Sequence, residues 1–439
     1  MKKYLFCSAI LFSVIGFSLI GQANNQQEED RYSLTLEEQA IQNAEKNLFT
    51  PETPDILHFQ MKWLKQELEK SKDKNFVISP VSLYQALALF GHGLNGYELE
   101  NAMHYSTDGM VIQIQNHRIG EEDAQNTLKP TLLPLDKASF RIRLSKDMMS
   151  DEQVKITNSI WGNSFLREFT QDVKKYLNAE AKPLPKNTRV INEWIEEKTK
   201  GKIKNLLQNK ETSPLELFLV NTIYFKANWM NKFDIYRTRK MPFNTQNGPV
   251  EVDMMYDKKR IDYYEDEMMQ AIRLPYWGPL KDGRYLTDPK HSMIFILPKE
   301  HVSWNDFISK LSIQDFYLNF IERMPVKIYL PRFKVEYQPD DMIEVLKNMG
   351  LERIFKEGAF LGSKTPGTLL TIVHKSIISV DEEGTEAAAA TVAGIMETGL
   401  LNNTLKRTEP YFIFKADRPF IFMLDEGLFV GVVNNPNEN

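Results

Sequence analysis

Residues 380–395 read VDEEGTEAAAATVAGI, in which acidic residues give way to a glycine and then to a run of small side chains that ends in β-branched ones. As a strand of period two, Thr385, Ala387, Ala389, Thr391, Ala393 and Ile395 share one face. Glu386, Ala388, Ala390, Val392, Gly394 and Met396 occupy the other. The first face carries no charge and begins with nothing larger than threonine, so it can slide into a packed interior without burying an ion or overfilling the core. Glu386, the one charge of the alanine run, stays toward water. An exposed alanine-rich helix or linker is the competing reading, because alanine is the best helix former. Gly384, Thr385, Thr391, Val392 and Gly394 all oppose that helix.

Around this segment the second half of the chain is strand-like. Leu215–Trp229, His291–Pro298, Val326–Tyr337, Thr371–Gly384, Arg418–Leu424 and Leu428–Asn434 are short runs rich in β-branched and aromatic residues. The first half is helical. Apolar residues recur at helical spacing over Ile56–Leu68, and Ser79 followed by Pro80 opens a helix whose buried face carries Leu83, Leu87 and Phe90. A further long helix is predicted over Arg189–Leu207, with Gly201 near its end. Helices early and strands late indicate an α+β fold.

With 439 residues, 42% of them hydrophobic, the chain can bury a large core. A net charge of -5 gives no global basic field, so nucleic-acid binding is disfavoured. Lys2 and Lys3, an apolar run to Ile20 and then Gly21-Gln22-Ala23 read as a signal peptide spanning residues 1–23. Cleavage after Ala23 would leave a mature chain, secreted or periplasmic, with no membrane segment. Cys7, the single cysteine, falls in the removed part, which excludes disulfides and thiol catalysis. Residues 24–54 are a polar leader rich in Gln, Asn and Glu.

Several runs, in order, resemble one family. They are NFVISPVSL with Asn75, Ser79, Pro80 and Ser82; INEWIEEKTKGKI with Asn192, Trp194, Thr199 and Gly201; LVNTIYFKANW with Asn221 and Trp229; YLPRFKVE; VHK with His374; EEGTEAAAAT; and FKADRPFIF followed by LFVGVVNNP. The chain resembles the serpins from about Ile56 to Pro436. The resemblance implies a single domain over residues 55–439, with about nine helices, three β-sheets and an exposed reactive-centre loop at about 382–417. It also implies a loop that inserts into the large sheet after cleavage, a behaviour already known for serpins.

By the same resemblance, Glu382, Gly384, Thr385, Ala387, Ala389 and Thr391 form the hinge of that loop. Ser79, Ser82, Asn221 and His374 form the polar cluster beneath the centre of the sheet, where strands must part. Trp229, Arg332 and Glu382 form the region at its top, with an Arg332–Glu382 ion pair where the loop first enters; the family more often has lysine at the position of Arg332. Counting fourteen residues beyond Gly384 places the scissile bond at Thr398–Gly399, suited to an elastase-like or subtilisin-like protease. The segment 399–419 is about ten residues longer than in many relatives, so Met396, Leu400, Leu401, Lys406 and Arg407 are alternative cut sites.

No G-x-S-x-G elbow surrounds any serine, and the seven histidines show no metal-ligand spacing, so an enzyme, a cofactor and a metal are not expected. The functional expectation is a monomeric suicide-type inhibitor of a serine endopeptidase. Two readings stay open beside it, a cross-class inhibitor of papain-like cysteine proteases and a non-inhibitory carrier or chaperone. The region 97–154 matches the family poorly and shows no basic stripe for a polyanionic activator.

Overall fold

Eighteen residues with apolar side chains at helical spacing form α1 (Pro54–Ser71), which buries Phe59, Trp63, Leu64 and Leu68. A three-residue strand, β1 (Phe76–Ile78), leads into α2 (Pro80–His92), where Ser79 Oγ accepts the Ser82 N–H at 3.2 Å and so caps the first turn. The computed structural model describes residues 54–92, 153–385 and 411–438, apart from 279, 282–283, 286–288, 290, 317, 356–359, 361, 364–368 and 426. All of these fall in one compact unit, residues 49–439. The expected signal peptide, the polar leader, hinge positions Ala387, Ala389 and Thr391, and Met396, Thr398, Gly399, Leu400, Leu401, Lys406 and Arg407 lie outside the described residues.

Next come β2 (Val154–Gly162), α3 (Arg167–Leu177), β3 (Glu180–Pro183), α4 (Arg189–Lys198), β4 (Glu216–Phe225) and β5 (Ala227–Asn228). They are followed by β6 (Arg239–Thr245), β7 (Gly248–Glu265), β8 (Met269–Pro275), the ribbon β9 (Leu280–Lys281) and β10 (Arg284–Tyr285), and β11 (Ser292–Pro298). Then α5 (Trp304–Lys310), β12 (Ile321–Pro331), β13 (Phe333–Tyr337), α6 (Met342–Leu346), β14 (Leu369–Val380) and β15 (Gly384–Thr385) precede β16 (Phe412–Lys415), β17 (Phe420–Leu424) and β18 (Phe429–Val433). Among the described residues there are six α-helices, and the architecture is α+β.

The predicted helix over Arg189–Leu207 stops early, at Lys198. Thr199 turns its hydroxyl back to Ile195 O at 2.7 Å and accepts the Ile203 N–H at 3.1 Å, while Gly201, at φ +78°, donates to Glu196 O. This is a glycine-terminated helix end, placed about two and a half turns earlier than the apolar spacing suggested.

A nine-stranded sheet runs β1-β18-β17-β11-β8-β7-β12-β16 with β6 beside β7, and a seven-stranded sheet runs β3-β2-β4-β14-β15-β5 with β13 beside β14. Helices α1 and α2 share one core cluster with strands of both sheets, and α4 lays Ile191, Trp194 and Ile195 against the opposite face of the seven-stranded sheet, over Phe218, Val220 and Val373.

The centre of that second sheet positions the site. There β4 and β14 pair in parallel, Glu216–Tyr224 against Leu369–Ile377, although β2 and β13 on either side pair with them antiparallel. Parallel ladders are slightly weaker per residue than antiparallel ones, so this seam is weaker than the antiparallel pairings on either side of it.

Candidate functional site

At its top the seam is already forked. Gly384 lies opposite Asn228, and Thr385 lies opposite both Ala227 on β5 and Val380 on β14, antiparallel to each. Two residues of the alanine-rich segment therefore begin a strand between the arms of the seam. Gly384 is required by closeness, since a Cβ at that position would stand 2.1 Å from Ala227 O and 2.7 Å from Asn228 Cα. Thr385 is fully buried and its hydroxyl meets Tyr276 Oη at 2.6 Å. Tyr276 in turn stacks on Trp229, with ring centroids 4.3 Å apart and planes at 14°. Burial holds the Tyr276 phenol well above its usual pKa, so it stays neutral throughout the physiological range, and either hydroxyl can donate to the other.

The turn before the glycine is tied down by backbone. Asp381 Oδ1 accepts the Glu383 and Gly384 N–H groups at 2.9 and 3.2 Å, Trp229 Nε1 donates to Asp381 O at 2.8 Å, and the Trp229 N–H donates to Glu383 O at 2.9 Å. Glu382 points inward, its side chain 6% exposed, and receives a fork from Arg332: Nε at 2.8 and 2.9 Å and a second nitrogen at 2.7 Å. The Thr238 hydroxyl also donates to it. That hydrogen bonding raises the Arg332 guanidinium above its ordinary pKa. Removing the arginine leaves a buried carboxylate with one hydroxyl for company. Because Arg332 itself is partly in water, the expected loss for Arg332→Ala is about 2 kcal/mol rather than the larger cost of breaking a fully buried pair. Arg332→Lys keeps the charge but not the fork and should cost about 1 kcal/mol. Urea midpoints of the two variants check both, and a lysine variant as weak as the alanine one contradicts the fork.

Lower in the seam the polar cluster assembles around Asn221 on β4. Its Nδ2 donates to Asn158 Oδ1 on β2 at 2.6 Å and to Ser82 Oγ on α2 at 2.7 Å. Its Oδ1 lies 2.5 Å from His374 Nδ1 on β14, the residue directly across the seam. His374 Nε2 is 2.9 Å from Ser376 Oγ, and Asn158 donates to Gln85 at 3.2 Å. The ring of Trp63 stands edge-on to the imidazole at 5.2 Å. Ser79 acts through the α2 cap rather than on Asn221 itself. Thus Ser82, Asn158 and Asn221 form one group on the β4 side, and the His374–Asn221 contact bridges to the β14 side as a latch.

Serine, histidine and asparagine in hydrogen-bonded order resemble a catalytic triad, but Ser376, His374 and Asn221 are all fully buried and no substrate reaches them. What this arrangement can do is hold. Burial pushes the His374 pKa down to about 3, so the ring is neutral, Nδ1–H donating to Asn221 and Nε2 accepting from Ser376. The unfolded chain takes up a proton below about pH 6.5 and the folded one does not until about pH 3. Stability is therefore complete above about pH 6.5 and falls as the solution is acidified, by about 2 kcal/mol at pH 5 from this residue. Measured as urea midpoints at pH 7.5 and 5.0, the wild type should lose more than His374→Gln does; equal losses would show that His374 is not the source.

Asn158, Gln85, Ser376, Tyr276 and Thr238 belong to the site and were not singled out from the sequence. The available signal was a polar residue at a core-facing position, as with Asn158 among the apolar residues of β2. Its meaning depends on the strand that lies opposite.

A family model described as Serpin (serine protease inhibitor) matches residues 55–436. The chain belongs to the serpin family. Its relatives include a serpin-like protein of Thermococcus kodakarensis, 34% identical over an alignment of 390 positions that covers 83% of this chain and 82% of that protein. The crystal structure of Serpin48, described as a highly specific serpin of the insect Tenebrio molitor, is 26% identical with a TM-score of 0.67, covering 89% of this serpin and all of that chain. Human thyroxine-binding globulin shares the fold at 23% identity and a TM-score of 0.67, over 89% of this chain and 100% of its own. Serpins are protease inhibitors rather than catalysts, which accords with a buried Ser–His–Asn arrangement that serves as a latch.

Proposed function

We propose that this serpin is a secreted, suicide-type inhibitor of a serine endopeptidase of the elastase or subtilisin kind, cut at Thr398–Gly399. The observation that carries the reading is the seated start of the insert, Thr385 between Ala227 and Val380. From there the register extends by counting. Residue 385 + k meets 380 − k on β14 and 227 − k on β4, and the β4–β14 pairing has the same offset, since His374 faces Asn221. With k = 2, 4 and 6, Ala387 comes level with Ile378 and Phe225, Ala389 with Ser376 and Ile223, and Thr391 with His374 and Asn221. Small residues thus arrive on the core face, and the Thr391 hydroxyl arrives where the latch must be broken, able to bond to both released partners.

The protease serine attacks the Thr398 carbonyl and expels the Gly399 amine, forming an ester that tethers the enzyme to residue 398. Release of the Gly399 side frees residues 386–398 to enter the seam. One parallel ladder is replaced by two antiparallel ones, and the tethered enzyme is carried away from the top of the sheet before water completes hydrolysis. The apolar run and small-residue cleavage pattern at residues 1–23 support export.

The test is to mix the protein with elastase-, subtilisin-, trypsin- and papain-like enzymes. A complex that survives denaturing electrophoresis is expected with one of the first two. A complex with papain alone reassigns the target class, and no complex with any enzyme returns the reading to a carrier.

A further inference from the structure

The outer face of β7, β12 and β16 lies at the foot of the loop, since Tyr411 opens the chain that returns from it. In register, Lys327 faces Lys258 on one side and Ile413 on the other. Two like charges directly opposite on neighbouring strands are destabilising, and most sheets avoid the pairing. Here both ammonium groups converge on the Tyr411 ring, at 5.4 Å for Lys258 and 5.6 Å for Lys327. Among the described residues no carboxylate pairs with either.

The same-face grid at 256, 258 and 260, at 325, 327 and 329, and at 411, 413 and 415 holds four cations, three tyrosines, a proline and an isoleucine, with no carboxylate. Lys415 is paired with Asp417 at 2.8 Å, so Lys258 and Lys327, with no carboxylate partner among the described residues, are the positive centre of this face on a chain of net charge -5. Tyr411 and Ile413 are also 43% and 55% exposed at its centre, so apolar surface and cations are interleaved, the composition of a protein-binding interface.

We propose that this face is a docking surface for the target protease, engaging an acidic patch on the enzyme through Lys258, Lys327 and Tyr411 while the loop occupies its active site. The inference rests on the inhibitor reading. The occupant follows from connectivity and charge: Tyr411 follows directly on residues 386–410, so an enzyme bound to them lies within about 40 Å of extended chain from Tyr411, and a carboxylate from it would relieve the opposed lysines. Steering by such a patch accelerates encounter without changing the loop chemistry.

The experiment compares wild type with the double variant Lys258→Glu/Lys327→Glu, using the enzyme that forms the covalent complex most rapidly. The expected result is a second-order trapping rate about tenfold lower at low ionic strength, with a much flatter dependence on salt. The number of inhibitor molecules consumed per enzyme should be unchanged, because the hinge is untouched. A control pair on α1, Lys65→Glu/Lys70→Glu, should trap at the wild-type rate. Equal rates and equal salt dependence in wild type and variant overturn this inference while leaving the inhibitor reading intact. Absence of a complex with every enzyme withdraws both. Salt-sensitive binding of single-stranded DNA or a sulfated polysaccharide that is lost in the variant, with trapping unaltered, overturns it in favour of a polyanion.

Discussion

Cutting the loop between residues 386 and 410 should raise the melting temperature of this serpin by about 20 °C or more. In the intact protein β4 and β14 still pair directly across the seam that the small side chains of 386–395 are sized to enter. Once the Thr398 end is free, about ten residues gain ladder hydrogen bonds, each contributing roughly 1 kcal/mol net, and the Ala387, Ala389, Ala393 and Ile395 side chains leave water. Together these stabilise the cut form by on the order of 10 kcal/mol, and each kcal/mol shifts the melting point of a chain of this size by about 2 °C. The intact state is then a kinetic trap whose lifetime depends on the barrier to opening the seam. Calorimetry of the intact and elastase-nicked protein checks this directly. Superimposable transitions would mean that the severed segment stays outside.

The second large effect is at the hinge. Thr385→Arg should convert the inhibitor into a substrate, with the protease cutting the loop and departing. Thr385 is fully buried against Tyr276, which is itself packed on Trp229. A guanidinium cannot take that seat without burying an unpaired charge beside an aromatic cluster, so in the variant residue 385 starts outside the sheet and must be buried, at a cost of several kcal/mol, before the rest of the segment can follow. The slowed insertion loses the race against hydrolysis of the ester, so the number of inhibitor molecules consumed per enzyme should rise by more than about tenfold while the rate of loop cleavage stays near normal. If Thr385→Arg still traps the enzyme at near one-to-one stoichiometry, insertion does not begin at Thr385. Thr385→Ser, which keeps the hydroxyl bonded to Tyr276, should behave as wild type.

The strand-like character of Gly384 and Thr385, the part of the expected hinge that is described, could be read from the sequence because side-chain size along a single strand is legible without knowing the partner. The strands β4, β14, β17 and β18 were legible for a related reason: they are buried on both faces or nearly so, and appear as β-branched and aromatic runs. Strands β6 to β8 were not singled out, because β7 carries Asp257, Lys258, Lys259, Arg260 and Asp262 along its length and reads as a polar loop. Two of those five, Lys258 and Arg260, lie on the outward face that the docking surface uses. Lys259 points inward, where it donates to Lys232 O at 2.7 Å and sits 4.3 Å from the Phe233 ring centroid. It thereby pins the segment that follows β5, a role set by tertiary contacts alone. The over-long α4 has a local cause: apolar spacing continues through Ile203 and Leu207, but the Thr199 hydroxyl and Gly201 end the helix first. The polar partners of Asn221 required the register of three elements that are 63 to 153 residues distant in the chain.

A crystal structure of the protein cut at Thr398–Gly399 tests the central claim most directly. The account predicts residues 385–395 as a strand antiparallel to both β4 and β14, with Thr391 level with His374 and Asn221 and the His374–Asn221 contact broken. A cut protein in which Leu369–Ile377 still pairs with Glu216–Tyr224 would contradict it.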